Sequence, residues 1–142
     1  MLFEVSLIAK APRDRVYAAY VDFESMPKWS HQVATVRISK REGDTVFLES
    51  VDASGRRNRE VPRTVRLFPP FKVQSESETR FTSTKATVTF EDVQEGCKVT
   101  AAMVVEVKGA WARILTTRGR DEVEPRALEE LTSFVRYAEG LP

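Results

Sequence analysis

The sequence predicts an α+β fold in which a curved antiparallel sheet of six to seven strands wraps around a long C-terminal helix. The first observation is the order of elements, which reads as strand, helix, five or six further strands and a final helix. The second is that short turns join the consecutive strands, and strands joined in this way pair as antiparallel neighbours. The third is that only the final helix is long enough to cover the apolar face of such a sheet.

The first strand and the first helix have clear local signals. In residues 2–9 every second residue is apolar: Phe3, Val5, Leu7 and Ala9. Pro12 suits the first turn of a helix, because no amide hydrogen is needed there. The next apolar residues fall at spacings of three and four: Val16, Ala19, Tyr20 and Phe23. Pro27 ends any second helix early, so one or two short helices are predicted between strands 1 and 2.

The middle of the chain is predicted to form strands at residues 33–40, 45–51, 59–68, 71–79, 84–93 and 99–107. Turn residues separate these segments, such as Gly43 after the second strand and Gly96 before the last. We expect Ala34 to share a face with Val36 and Ile38. Pro62 cannot donate to a strand ladder, so the fourth strand is predicted to lie at an edge or to contain a bulge.

The C-terminal segment carries an amphipathic stripe of apolar residues: Leu128, Leu131, Val135 and Ala138, with Phe134 beside them. Upstream of this stripe, residues 116–122 contain no apolar side chain, and Pro125 follows. The sequence therefore predicts a break or kink between two helical pieces.

Composition limits the classes of function. A chain of 142 residues fits one domain, residues 1–142, and a net charge of +1 gives no overall attraction to nucleic acid. One cysteine and one histidine cannot supply a recognisable metal site. No phosphate-binding loop or nucleophile elbow is present, so no cofactor is predicted. Glu4 interrupts the apolar residues at the N-terminus, and no run approaches membrane-spanning length, so we expect a cytoplasmic protein that is not membrane-embedded. The exposed sheet edges and the polar fifth strand permit either a monomer or a homodimer.

A set of motifs near the N-terminus resembles the opening of a known superfamily. These motifs are Ala11-Pro12, Val16-Tyr17, Asp22 and Pro27-x-Trp29. They are similar to the polyketide cyclase/dehydrase and lipid-transport superfamily, the START-like (SRPBCC) proteins with the helix-grip fold, although many members carry Trp at position 17. The order of elements extends this resemblance over essentially the whole chain. It implies a ligand cavity between the sheet and the C-terminal helix.

Arg63 and His31 are the polar residues that are candidates for anchoring a ligand or for acid–base catalysis. Arg63 shares the apolar face of its predicted strand, where its guanidinium could anchor a carboxylate or phenolate. The alternative is that a bulge at Pro62 turns it to solvent. His31 could act as a general acid or base, or form a structural hydrogen bond. The predicted ligand-binding residues are Tyr20, Trp29, His31, Arg63, Val65, Phe90 and Met103, and no catalytic residue is assigned.

Three functions remain open at this level. The first is non-enzymatic binding or transport of a small hydrophobic or amphipathic molecule, such as a lipid, an isoprenoid or quinone, or a polyketide. The second is an enzyme similar to polyketide aromatase/cyclases, with Arg63, His31 and Tyr20 as the residues to test. The third is a protein- or RNA-interaction domain, which predicts a filled interior and an exposed apolar patch. The arginines of residues 56–66 favour a solvated hairpin over a nucleic-acid contact.

Overall fold

The structure is a computed structural model that describes residues 2–52, 60–78, 82–107, 109 and 112–140, without the side chains of residues 52, 60 and 112–123. Its strands are β1 (Leu2–Ala9), β2 (Val33–Glu42), β3 (Thr45–Asp52), β4 (Glu60–Phe68), β5 (Lys72–Glu78), β6 (Thr82–Val93) and β7 (Gly96–Val107). Its helices are α1 (Arg13–Val21), a 3₁₀ helix (Phe23–Lys28) and α2 (Ala112–Ala138).

The seven strands of the described residues form one antiparallel sheet in the order β1-β7-β6-β5-β4-β3-β2. Consecutive strands from β2 to β7 therefore pair with one another, whereas β1 crosses to the far edge and pairs with β7. The two short helices lie between β1 and β2, and the long helix follows β7. This arrangement confirms the predicted α+β helix-grip fold.

One face of the sheet is concave and packs against α2. Its buried side chains are Phe3, Ala9, Val46, Leu48, Val65, Val73, Val88, Phe90, Cys97 and Val99. The helix contributes Leu131, Phe134, Val135 and Ala138 to the same cluster. Full burial of each large apolar side chain stabilises the fold by about 1.5 to 3 kcal/mol, so the period-two and helical stripes of the sequence account for this core.

The prediction for Pro62 is wrong, because β4 lies in the interior of the sheet between β3 and β5. Pro62 pairs with Glu49 of β3, and the register of β3 with β4 runs through it without a shift. Among the described residues, the pairing of β4 with β5 begins at Arg63. Pro62 pairs on the β3 side, where its missing amide hydrogen does not interrupt the register.

The irregularities of the sheet lie instead in the edge strand β2. Its register shifts between Val33 and Thr35 and again between Ile38 and Lys40. Ala34 sits at the first shift and is exposed, so it does not share a face with the half-buried Val36, contrary to the prediction. Bulges and charged side chains are common protections of an edge strand against pairing with another chain.

The helix α2 is continuous over Ala112–Ala138 and contains Pro125, so a break between two helices is wrong, whereas the alternative of a kink stays a prediction. A proline removes one amide donor from a helix, and here that loss does not end it. The helix downstream is anchored by the buried Leu131, Phe134 and Val135. Leu128, predicted to belong to this stripe, is 44% exposed. In the described ranges no helix is long and apolar enough to cross a membrane.

Candidate ligand-binding site

The concave face is closed at one end and accessible at the other. At the closed end, Ala9, Phe90, Cys97 and Val99 are 2% exposed or less. Towards the other end of β5, β6 and β7, inward-facing residues are only half-buried: Ser75, Ser77, Thr84, Ala86, Ala101 and Met103. Several of these side chains are small, so they occupy little volume above the sheet.

Arg63 lies in the accessible part of this face. The register places it between Leu48 of β3 and Ser77 of β5, and Ser77 in turn faces Thr84 of β6. Arg63 is half-buried, and its Nε is buried without a hydrogen-bond partner. No carboxylate in the described part of the chain forms an ion pair with it. The guanidinium therefore has donor capacity for an acidic or carbonyl oxygen.

The next row of the concave face is apolar apart from Ser75. Val65 lies two residues from Arg63 and is 2% exposed. It pairs with Ser75, which faces Ala86, which faces Met103 on β7. The polar row and the apolar row are therefore adjacent, as an amphipathic ligand would require.

An aromatic cluster around Tyr20 packs against the sheet through Phe90 of β6. The Tyr20 ring centroid lies 5.2 Å from Phe134, 5.6 Å from Phe90 and 6.2 Å from Trp29, on which it stacks. Burial raises the pKa of Tyr20 to about 12, and the positive charge of Arg63 opposes this rise. Tyr20 thus lies within electrostatic range of Arg63 and remains a neutral phenol at physiological pH.

Two further buried donors near this cluster have no hydrogen-bond partner. They are the indole Nε1 of Trp29 and the hydroxyl of Tyr17. Burial raises the pKa of Tyr17, and the negative charge of Asp44 raises it further. Because buried polar groups are almost always paired, these atoms identify places where water or a ligand atom can bind.

His31 lies apart from these groups at the surface. Its side chain is exposed, and its Nε2 lies 3.0 Å from Ser133 Oγ on α2. The structure thus brings together Tyr20, Trp29 and Phe90 in one cluster and Arg63, Val65 and Met103 on one face. The geometry gives His31 a structural contact, and a role in binding a ligand stays a prediction.

The sequence matches the family described as polyketide cyclase / dehydrase and lipid transport over residues 2–139. The chain belongs to this family. Among curated proteins, none matches the sequence. Membership of this family implies a ligand-binding fold.

Solved structures with the same fold are distant in sequence. The protein TTHA0849 from Thermus thermophilus has a TM-score of 0.84 and 16% identity, with 97% of each chain covered. The Zhui aromatase/cyclase from a Streptomyces species has a TM-score of 0.83 and 11% identity, covering 98% of this chain and 93% of that one. A START superfamily protein from Mycobacterium smegmatis has a TM-score of 0.70 and 13% identity, covering 96% and 97%. The chain spans about half the length of two di-domain ARO/CYC proteins, BexL and StfQ.

This member of the polyketide cyclase/lipid-transport family also has a groove along the middle strands of the sheet, lined by residues of β2 to β6. The groove has a volume of about 380 Å³. Its walls include the outward-facing row formed by Phe47, Thr64, Glu76 and Lys85, which pair in succession across β3 to β6. This groove is open and carries both charges, and its lining also includes Leu48, Arg63 and Ser77 of the concave-face row.

Two exposed aromatic side chains flank the turn between β4 and β5. Phe68 is 42% exposed and Phe71 is 56% exposed. The Lys72 ammonium lies 4.6 Å from the Phe68 ring centroid, and the Arg13 guanidinium lies 4.7 Å from that of Phe71. Cations cover both rings, so this turn is not a bare apolar patch. In the described residues no cluster of three or more His, Cys, Asp or Glu side chains could hold a metal ion.

Sequence reasoning missed two contacts that shape this site. Phe134 was assigned to the helix stripe, but its packing against Tyr20 depends on residues far apart in sequence. Glu130 accepts hydrogen bonds from Ser30 and His31, and no local pattern marks such a long-range pairing. The sequence shows that Glu130 and Phe134 lie one helical turn apart, but it does not show that Glu130 binds Ser30 and His31 or that Phe134 packs on Tyr20.

Replacement of Tyr20 by Phe is expected to reduce the decrease in the free energy of unfolding as the pH rises in the alkaline range. The folded-state pKa of about 12 exceeds the ordinary value of 10.0. Between these values the unfolded chain has lost a proton that the folded protein keeps, so stability falls as pH rises, by up to about 1.4 kcal/mol per pH unit. Urea denaturation of wild type and Tyr20→Phe at several pH values between 9 and 12 measures the difference. Parallel pH dependences for the two proteins would contradict the expectation.

Proposed function

We propose that the protein binds or carries a small hydrophobic or amphipathic molecule, such as a lipid, an isoprenoid or quinone, or a polyketide, between the concave face of the sheet and α2. The observation that supports this most directly is the unpartnered, buried Nε of Arg63 within a half-buried face. A charged donor in such surroundings is costly unless it gains a partner, and a ligand oxygen would provide one.

The arrangement of side chains favours an amphipathic ligand. Its polar group would lie beside Arg63, Ser77 and Thr84, which form one cross-strand row. Its apolar part would lie over Ala86 and Met103 in the neighbouring row. Ligand pockets generally combine an apolar lining with a few placed polar groups, and this face has that composition.

An aromatase/cyclase activity is the second candidate, and the Tyr20–Arg63 pair favours it. Burial keeps Tyr20 protonated up to a pKa of about 12, so its phenol can donate a hydrogen bond to a carbonyl oxygen. Arg63 can stabilise the negative charge that forms when such a carbonyl enolises. This candidate predicts cyclised product from a poly-ketone chain, while the binding function predicts release of the ligand unchanged.

Arg63→Ala is expected to weaken binding of an amphipathic anion selectively. The probe is anilinonaphthalene sulfonate, and the loss of a hydrogen bond to a charged group should reduce its binding free energy by about 1.5 to 3 kcal/mol. The uncharged phenylnaphthylamine has similar aromatic rings without the anion, so its affinity should change little. Fluorescence titration of both probes measures the two affinities.

Arg66→Ala is the matched control for this experiment, because Arg66 is an exposed arginine of the same strand. It should leave both probe affinities unchanged. Equal affinity of wild type and Arg63→Ala for the sulfonate would exclude Arg63 as the anchor. Native mass spectrometry of the purified protein then tests for a natural ligand, and failure of wild type to retain any molecule or bind either probe would contradict the proposed function.

A further inference from the structure

The carboxylate of Glu130 joins α2 to the segment between the 3₁₀ helix and β2. Glu130 Oε2 accepts a hydrogen bond from Ser30 Oγ at 2.6 Å, and Oε1 accepts one from the His31 backbone N–H at 2.6 Å. Ser30 is 8% exposed, and its Oγ also accepts from the Gln32 backbone N–H at 3.2 Å. Hydrogen bonds to a carboxylate are about twice as strong as neutral ones, so this bridge fixes the segment firmly to the helix.

The bridge lies next to the aromatic cluster of the candidate site. Ser30 directly follows Trp29, whose ring stacks on Tyr20. On the helix, Phe134 lies one turn after Glu130, and its ring centroid is 5.1 Å from that of Trp29 and 5.2 Å from that of Tyr20. Two successive turns of the helix therefore contact this segment, because Glu130 binds the residues that follow Trp29 and Phe134 packs on the Trp29 ring.

We propose that Glu130 is a positioning residue for the ligand site, acting through Trp29 and Tyr20. This inference rests on the proposed function. The bridge fixes the backbone on the C-terminal side of Trp29, and thereby the ring orientation that keeps its unpartnered Nε1 buried. Trp29 in turn supports Tyr20, which is electrostatically coupled to Arg63. Without the bridge, Trp29 and Tyr20 can adopt other rotamers, and the aromatic cluster that borders the site loses its shape.

The test compares Glu130→Ala and Ser30→Ala with the control Glu129→Ala, a substitution of the exposed neighbouring glutamate. Fluorescence titration with phenylnaphthylamine and anilinonaphthalene sulfonate gives affinities under conditions where each variant is fully folded. Glu130→Ala should weaken both probes about fivefold or more, Ser30→Ala should weaken them less, and Glu129→Ala should have no effect. Because Glu130→Ala already removes the contact of Glu130 with Ser30, adding Ser30→Ala to it should weaken binding by less than Ser30→Ala does in the wild type.

Trp29 fluorescence provides a readout at the proposed point of action. In a Trp111→Phe background, Trp29 is the remaining tryptophan. Glu130→Ala should shift its emission to longer wavelength, as expected when the indole becomes more exposed to water, and Glu129→Ala should not.

The outcomes separate this inference from the proposed function. If wild type binds neither probe, the proposed function fails and the inference fails with it. If wild type binds and folded Glu130→Ala binds with unchanged affinity, Glu130 serves stability alone and only the inference is overturned. If Glu130→Ala does not fold, Ser30→Ala decides in the same way, and wild-type affinity in that variant overturns the inference.

Discussion

Phe134→Ala is expected to lower the free energy of unfolding by about 3 to 5 kcal/mol, the largest loss among the substitutions considered. Phe134 is 1% exposed and belongs to the cluster in which α2 meets both the sheet and the short helices. Removal of the ring deletes its contacts with Tyr20 and Trp29 and leaves a cavity that rigid neighbours fill only in part. The aromatic cluster of the candidate site should loosen at the same time.

Urea denaturation followed by far-ultraviolet circular dichroism measures this loss. Leu128→Ala is the matched control, because it removes a large apolar side chain from the same helix at a position that is 44% exposed. It should cost about 1 kcal/mol or less. Comparable losses in the two variants would show that Phe134 is not the central contact between α2 and the rest of the fold.

Gly96→Ala is expected to destabilise the protein by about 3 kcal/mol. Gly96 begins β7 with φ +145°, a conformation that residues with a side chain rarely adopt. A Cβ atom there would overlap the carbonyl oxygen of Ala9 and lie 2.9 Å from the backbone nitrogen of Ala11. Because both obstacles belong to the backbone, relief requires β1 and β7 to separate locally.

Gly43→Ala is the control that isolates this close approach. Gly43 also has positive φ, at +57°, but a Cβ there would meet nothing within 4 Å. Its cost should be about 1 to 2 kcal/mol, from the backbone conformation alone. Thermal and urea denaturation of both variants gives the comparison. A loss for Gly96→Ala no larger than that for Gly43→Ala would rule out a tight contact between β7 and the end of β1.

The parts of the fold that follow from short-range periodicity were predictable from the sequence. The alternation of Val99, Ala101 and Met103 defines β7 and its inward face, because side chains of a strand point to alternate sides. The same period places Arg63 on the face of Val65, which the register confirms. The C-terminal stripe likewise marks the buried side of α2.

Features that depend on tertiary context were not predictable in this way. The run of residues 116–122 and Pro125 indicate a break, yet α2 continues through them. Pro62 suggests an edge strand, but its place in the sheet depends on where the pairing of β4 with β5 begins. In the candidate site, the hydrogen bond between Glu130 and Ser30 joins residues a hundred positions apart, and no local sequence pattern indicates it.

The pairing of β1 with β7 has a consequence for the order of folding events. All other strand pairs join neighbours in sequence, so each can form as a hairpin after closing only a short loop. By contrast, β1 pairs Leu2 with Val104 and Ala9 with Cys97, so segments that are far apart in sequence must come together. Closing a loop of this length carries a larger entropic cost, and long-range pairings slow folding. We therefore infer that β2 to β7 assemble first as a meander, and that docking of β1 completes the sheet last.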